Sequence, residues 1–139
     1  MAITNSVLVN DGGAPARIVN FTAAEDITAG AALEINASGN VKMADTVDEM
    51  VAGFALVDAS SGDLCSCITG SGIILNAHLD GDNNIAIGDM LELATAGNGC
   101  LITSSAESDA RSLAICLEAC VDTAAENVTN GALYKVLVK

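Results

Sequence analysis

Hydrophobic and polar positions along this chain alternate in short runs, with the two-residue period of half-buried strands. Leu33 and Ile35 fall on one side of such a run and Glu34 on the other, and Leu91, Glu92 and Leu93 repeat the alternation. Turn residues follow each run, 36–39 and 94–97, and then returning segments, Val41-Lys42-Met43 and Cys100-Leu101-Ile102. Each set predicts a hairpin. Arg17-Ile18-Val19-Asn20-Phe21-Thr22 has the β-branched character of a strand, and near the end Tyr134, Val136 and Val138 form an apolar face opposite Lys135. Helical signals are confined to 45–50 and 105–110, each long enough for one turn and too short to hold a helix.

The two alternating runs belong to a larger repetition. Gly30-Ala31-Ala32-Leu33-Glu34-Ile35 returns as Gly88-Asp89-Met90-Leu91-Glu92-Leu93, 58 positions later (88 less 30). Gly53-Phe54-Ala55-Leu56 then corresponds to Ala114-Ile115-Cys116-Leu117, and Ser61-Gly62-Asp63-Leu64-Cys65 to Asn130-Gly131-Ala132-Leu133-Tyr134, the offset growing through a loop insertion over 122–130. A strand and turn unit that cannot bury its apolar face alone must pack on its twin. The predicted fold is therefore all-β, a compact small β-barrel or sandwich made of two pseudo-repeated halves, about 27–69 and 85–138. Its predicted core is Leu33, Ile35, Phe54, Leu56, Leu91, Leu93, Ile115, Leu117, Tyr134 and Val136. The breaker cluster Asp11-Gly12-Gly13-Ala14-Pro15 sets residues 1–16 apart as an extended N-terminal arm, leaving 17–139 as a single β-domain.

Composition narrows what such a domain can do. Of the 139 residues 51% are hydrophobic, yet only Phe21, Phe54 and Tyr134 are aromatic, so small aliphatic side chains must fill the core. Eighteen acidic residues against five basic ones leave a net charge of −13, which repels phosphate backbones and anionic lipid. Neither nucleic acid nor a membrane surface is an expected partner. The longest apolar runs, such as Ile73-Ile74-Leu75, fall far short of the roughly 20 residues that span a bilayer. The start, Met1-Ala2-Ile3-Thr4-Asn5, lacks the basic and apolar regions of a secretory signal, so synthesis in a cytoplasm is expected.

Candidate chemistry is sparse. The five cysteines, at 65, 67, 100, 116 and 120, do not have the paired spacing and tight turns of a structural zinc site. Strand parity and the repeat place Cys65 and Cys67 on the apolar face of their strand, as buried thiols. In the run from Leu113 to Val121 the same parity puts Leu113, Ile115, Leu117 and Val121 in the core and Cys116 and Cys120 beside Glu118 on the other face. Cys100 aligns with Lys42. Cys116, Cys120 and Cys100 are accordingly expected at a surface, as candidate intersubunit thiols. Asp80-Gly81-Asp82-Asn83 opens like a calcium loop, but Ile85 and Leu91 occupy the positions that need Gly and Glu, and an ordinary polar turn accounts for it. His78 has no nucleophile near it in sequence, Asn127-Val128-Thr129 has no secretion context, and Gly70-Ser71-Gly72 lacks the lysine of a phosphate loop. No catalytic constellation emerges; no enzyme activity, cofactor or metal is expected.

The segment Ala23-Ala24-Glu25-Asp26-Ile27-Thr28-Ala29-Gly30-Ala31-Ala32-Leu33, with Val51-Ala52-Gly53-Phe54-Ala55-Leu56-Val57-Asp58-Ala59 and Ser61-Gly62-Asp63, resembles the capsid decoration, or cement, proteins of tailed bacteriophages. The resemblance covers about residues 17–138. It implies a virion protein on the outer capsid surface that stabilises the shell by clamping neighbouring major capsid protein subunits, as a homo-oligomer, dimer or trimer, with an extended arm. Ile3, Val7, Leu8 and Val9 would then be the capsid-contact arm. Two other readings stay open: a structural β-module of a tail or fibre, and a small ligand-binding β-barrel, against which the scarcity of aromatics weighs.

Overall fold

A computed structural model describes residues 7–10, 17–45, 51–79, 84–94, 99–103, 112–120 and 133–139. The one-turn helical segments, the calcium-like turn, the sequon and the 122–130 insertion fall wholly or mostly outside these residues. Eleven strands follow in chain order: β1 (Leu8–Asn10), β2 (Arg17–Thr22), β3 (Ala32–Ile35), β4 (Val41–Met43), β5 (Gly53–Ala55), β6 (Leu64–Thr69), β7 (Ile74–Ala77), β8 (Met90–Leu93), β9 (Leu101–Thr103), β10 (Ala114–Cys116) and β11 (Tyr134–Val138). Among the described residues there is no helix.

The strands form two antiparallel sheets, ordered β2-β6-β5-β3-β4 and β1-β7-β11-β10-β8-β9. Apart from β1, the second order is the first repeated. The likeness extends to individual pairings. Leu33 faces Gly53 where Leu91 faces Ala114, and Ala55 faces Cys67 where Cys116 faces Val136. Even the isolated bridges recur, Ile27 with Ala59 and Ile85 with Cys120 antiparallel, Ala23 with Val41 and Leu79 with Leu101 parallel. The parallel bridges bring the continuations of β2 and β7 to the far strands β4 and β9, so each sheet curls back on itself. Gly30 and Gly88 start the two units alike. Both have φ near +90°, which glycine adopts without a Cβ penalty, and their amides donate to Ala55 and Cys116 carbonyls, each at 2.8 Å.

Two hydrophobic clusters fill the molecule. One lies within the first half, built on Ala23, Ile27, Leu33, Val41, Cys65 and Cys67. Its counterparts Leu79, Ile85, Leu91, Leu101, Tyr134 and Val136 lie in the other, which also takes in Ala32, Ala44, Phe54 and Ile68 from the first half and so joins the two. The halves meet closely at Gly99, whose carbonyl accepts from Ala32 at 2.8 Å and whose amide donates to Ala44 at 3.1 Å.

The predicted core holds for Leu33, Phe54, Leu91, Leu93, Tyr134 and Val136, all buried. Ile35 is 46% exposed, because it is the last residue of β3 before the hairpin turn and projects past the packed cluster. Leu56, Ile115 and Leu117 are only half-buried, while Ala114, Cys116 and Cys120 are buried. The parity taken for that strand is therefore inverted. The interior of a small curled sheet has room for Gly53, Ala55, Ala114 and Cys116, and the larger residues turn outward. Glu34 and Glu92, expected on the open face, are also buried, since strands packed against a second sheet have two covered faces.

Candidate functional site

Ionisable groups come together at one place in the first half. Glu34 and Lys42 are directly opposed across the β3–β4 hairpin, with Lys42 Nζ 3.0 Å from Glu34 Oε1 and 2.9 Å from Asp45 Oδ2. Asp45 N donates to Glu34 Oε2 at 3.4 Å, closing the cluster. These hydrogen bonds, first to Asp45 and then to Glu34, hold the Lys42 pKa above its ordinary value. The cluster neutralises a carboxylate that is only 5% exposed, and every member is engaged with another, so it serves structure.

Between the sheets lies a cleft of about 200 Å³, lined chiefly by Phe54, Ile68, Ile73, Leu75, Leu113 and Val138, with Lys139 and Ser112 at its border. Among the described residues its lining holds no His, Cys, Asp or Glu, and Ser112 and Lys139 are its polar side chains. His78 lies elsewhere, buried just after β7, its amide bonded to the Gly30 carbonyl at 3.2 Å and its carbonyl accepting from Leu101 at 2.9 Å. It ties the two halves together through its backbone. No cluster of metal-ligating side chains occurs among the described residues.

All five cysteines are buried. Cys65 and Cys67 are where the repeat placed them. Burial, with the neighbouring Cys65 adding to it, pushes the Cys67 thiol up to about 11, and burial raises Cys65 as well. Cys116, Cys120 and Cys100 correct the expectation of surface thiols. Cys116 and Cys120 occupy the places of Ala55 and Ala59 in the first half, and Cys116 Sγ donates to the Glu118 carbonyl at 3.1 Å. Cys100 is covered because its hairpin lies against the first half through Gly99.

The surface is more informative at the sheet edges. Of the arm residues, Ile3 lies outside the described residues, while Val7 to Asn10 are laid along β7: Leu8 pairs with Leu75, Asn10 with Ile74, and Asn76 N donates to the Val7 carbonyl at 2.7 Å. Val7 is buried and Leu8 half-buried within the chain's own fold, which leaves Val9 as the exposed apolar residue of β1. The equivalent edge of the first half, β2, carries no strand from the described residues. Ile18 is 51% and Val19 42% exposed there, and Leu64 on the neighbouring β6 is exposed too. A free edge of this kind presents main-chain donors and acceptors in a row, fit to take an extended partner strand. Sequence reasoning named the arm and not the edge; only the pairing of β1 with β7 reveals β2 as the counterpart of β7, without a covering strand among the described residues.

No protein-family model matches the chain, and no curated protein does. Its fold is shared by solved structures. The fold resembles a phage head-fibre base. The solved structure is the head fiber gp8.5 N base of bacteriophage phi29, which superposes with a TM-score of 0.66 at 13% sequence identity, covering 90% of this chain and 95% of that one. At that identity the likeness is one of fold, and it extends over the whole domain.

Proposed function

We propose that this protein is a structural component of a tailed-phage virion, mounted on the head. The observation that carries the reading is the whole-domain likeness to a head-fibre base, matched nearly end to end on both chains. The acidic charge that disfavours DNA and the β2 edge suited to strand addition are both compatible with a binding and scaffolding role. The protein would attach to the major capsid protein and require no cofactor.

Two forms of attachment follow, separated by what the particle loses without the protein. As a cement protein it would clamp neighbouring coat subunits, and heads lacking it would rupture at lower temperature. As the base of a fibre, the form favoured by the structural neighbour, it would anchor a projecting element and leave shell strength unchanged. The test is quantitative mass spectrometry and particle imaging of virions made with and without the gene, followed by heat challenge of both. Absence of the chain from purified virions would overturn the proposal.

A further inference from the structure

We propose that the β2 edge is a self-pairing surface, along which two copies of this chain join antiparallel about a two-fold axis at Val19. The inference rests on sheet geometry and is independent of the virion reading. Ala23 N donates to the Asp63 carbonyl at 2.8 Å, continuing the β2–β6 ladder in which Phe21 faces Cys65 and Val19 faces Cys67. In an antiparallel ladder bonded pairs alternate with unbonded ones, so the main-chain groups of Ile18 and Asn20 point away from β6. The second half shows what belongs there. Its matching residues on β7, Ile74 and Asn76, are the ones that β1 covers, Asn76 N donating to Val7. The chain therefore carries two equivalent edges and, among the described residues, one strand to cover them.

A second copy fits the open edge by register, charge and side-chain pairing. With Val19 on the axis, each Ile18 exchanges both main-chain groups with Asn20 of the other copy, which satisfies the outward groups of these two residues on both strands. The two Val19 side chains then face one another, and Arg17 of each copy lies opposite Phe21 of the other, where a cation and an aromatic face attract. Arg17 forms no ion pair among the described residues. In a molecule of net charge −13, neither β2 (RIVNFT) nor β6 (LCSCIT) contains an acidic residue. This is a strip where two strongly acidic copies can approach without opposing carboxylates, and it carries the exposed Ile18, Val19 and Leu64.

The experiment uses the full chain. Sedimentation equilibrium should give a dimer at micromolar concentration. Asn20→Pro removes the outward amide at both symmetry-related positions and is tolerated on an edge strand; it should raise the dimer Kd about thirtyfold while the domain still folds. Val19→Cys supplies an exposed thiol in a chain whose own cysteines are buried. Unbonded antiparallel partners have Cα atoms about 4.5 Å apart, within disulfide reach, so this variant should form a cross-linked dimer on mild oxidation. A monomeric wild type, an Asn20→Pro dimer of undiminished affinity, or failure of Val19→Cys to cross-link would each overturn the proposal. A monomeric chain whose Asn20→Pro variant no longer binds phage heads would overturn it in favour of a coat-protein strand on the same edge. Should Asn20→Pro not fold, the Val19→Cys cross-link decides alone.

Discussion

Phe21 and Cys65 stand opposite one another across the β2–β6 ladder, and the matching pair in the second half, Ala77 and Tyr134, carries the large and the small side chain on exchanged strands. Each half fills the same interior place with one aromatic ring, supplied from opposite sides. The pair thus behaves as a unit of volume, since close-packed interiors tolerate swaps that conserve it.

Exchange within that pair is expected to be strongly non-additive. Phe21→Ala empties a half-buried site and should cost about 2 kcal/mol, and Cys65→Tyr alone should cost about 1–3 kcal/mol through overpacking. The double variant, which copies the second half, should lose less than the sum of the singles by urea denaturation. Additive losses would show that the two side chains do not share a space.

The Tyr134 ring differs from that of Phe21, which fills the same place in the first half, by a hydroxyl, and this is buried without a partner among the described residues. Removing an unsatisfied polar atom while keeping the ring is neutral or favourable, so Tyr134→Phe should hold or raise the melting temperature. Tyr134→Ala should cost about 3–5 kcal/mol. A marked loss in Tyr134→Phe would mean that the hydroxyl is bonded.

Gly99 and Gly88 separate the cost of backbone conformation from the cost of contact. Both have positive φ, but a Cβ on Gly88 would meet nothing within 4 Å, whereas one on Gly99 would come within 2.6 Å of the Ala32 carbonyl oxygen and 2.9 Å of Ala31 Cβ. Gly88→Ala should cost about 1–2 kcal/mol and Gly99→Ala about 2–5 kcal/mol, because the latter also forces the halves apart. Equal losses in thermal unfolding would remove Gly99 from the junction.

The thiols should resist alkylation in the native protein, all five together, and react only on unfolding. Mass spectrometry of protein labelled before and after denaturation checks this, and native labelling of Cys116 or Cys120 would contradict their place in the core. With the Cys67 thiol raised from 9.0 to about 11, the unfolded chain loses that proton first. Its contribution to stability is therefore complete below pH 9 and declines as pH rises toward 11.

Lys42 acts in the same direction at still higher pH. Its pKa is raised above 10.5 by Asp45 and Glu34, so the contribution of the ion cluster to stability is complete below pH 10.5 and declines as pH rises from there through the folded value. Lys42→Met should lower the melting temperature at pH 7 by leaving the buried Glu34 carboxylate without its cation, and Glu34→Gln in addition should recover part of the loss. No recovery in the double variant would mean that Lys42 acts through Asp45 alone.

What the amino-acid sequence by itself determined is the repetition and its consequence. Strand period, glycine turns and the recurrence of Gly30–Ile35 as Gly88–Leu93 are local signals, and they carried the all-β class, the correspondence of Cys65 with Tyr134 and of Cys67 with Val136, and the burial of Leu33, Leu91 and Val136. Tertiary structure decided which face of each strand is covered and which edge is closed. Alternation in 113–121 offers two faces, and only the narrow interior of the curled sheet selects Ala114 and Cys116 for the inside. Glu34 could be placed only once Lys42 was seen opposite it. The arm reads as extended in sequence, yet whether such a segment reaches a foreign surface or lies on β7 depends on an edge formed by residues far along the chain. That same pairing shows β2 as an edge left uncovered among the described residues, because an edge is a property of the assembled sheet and of no single segment.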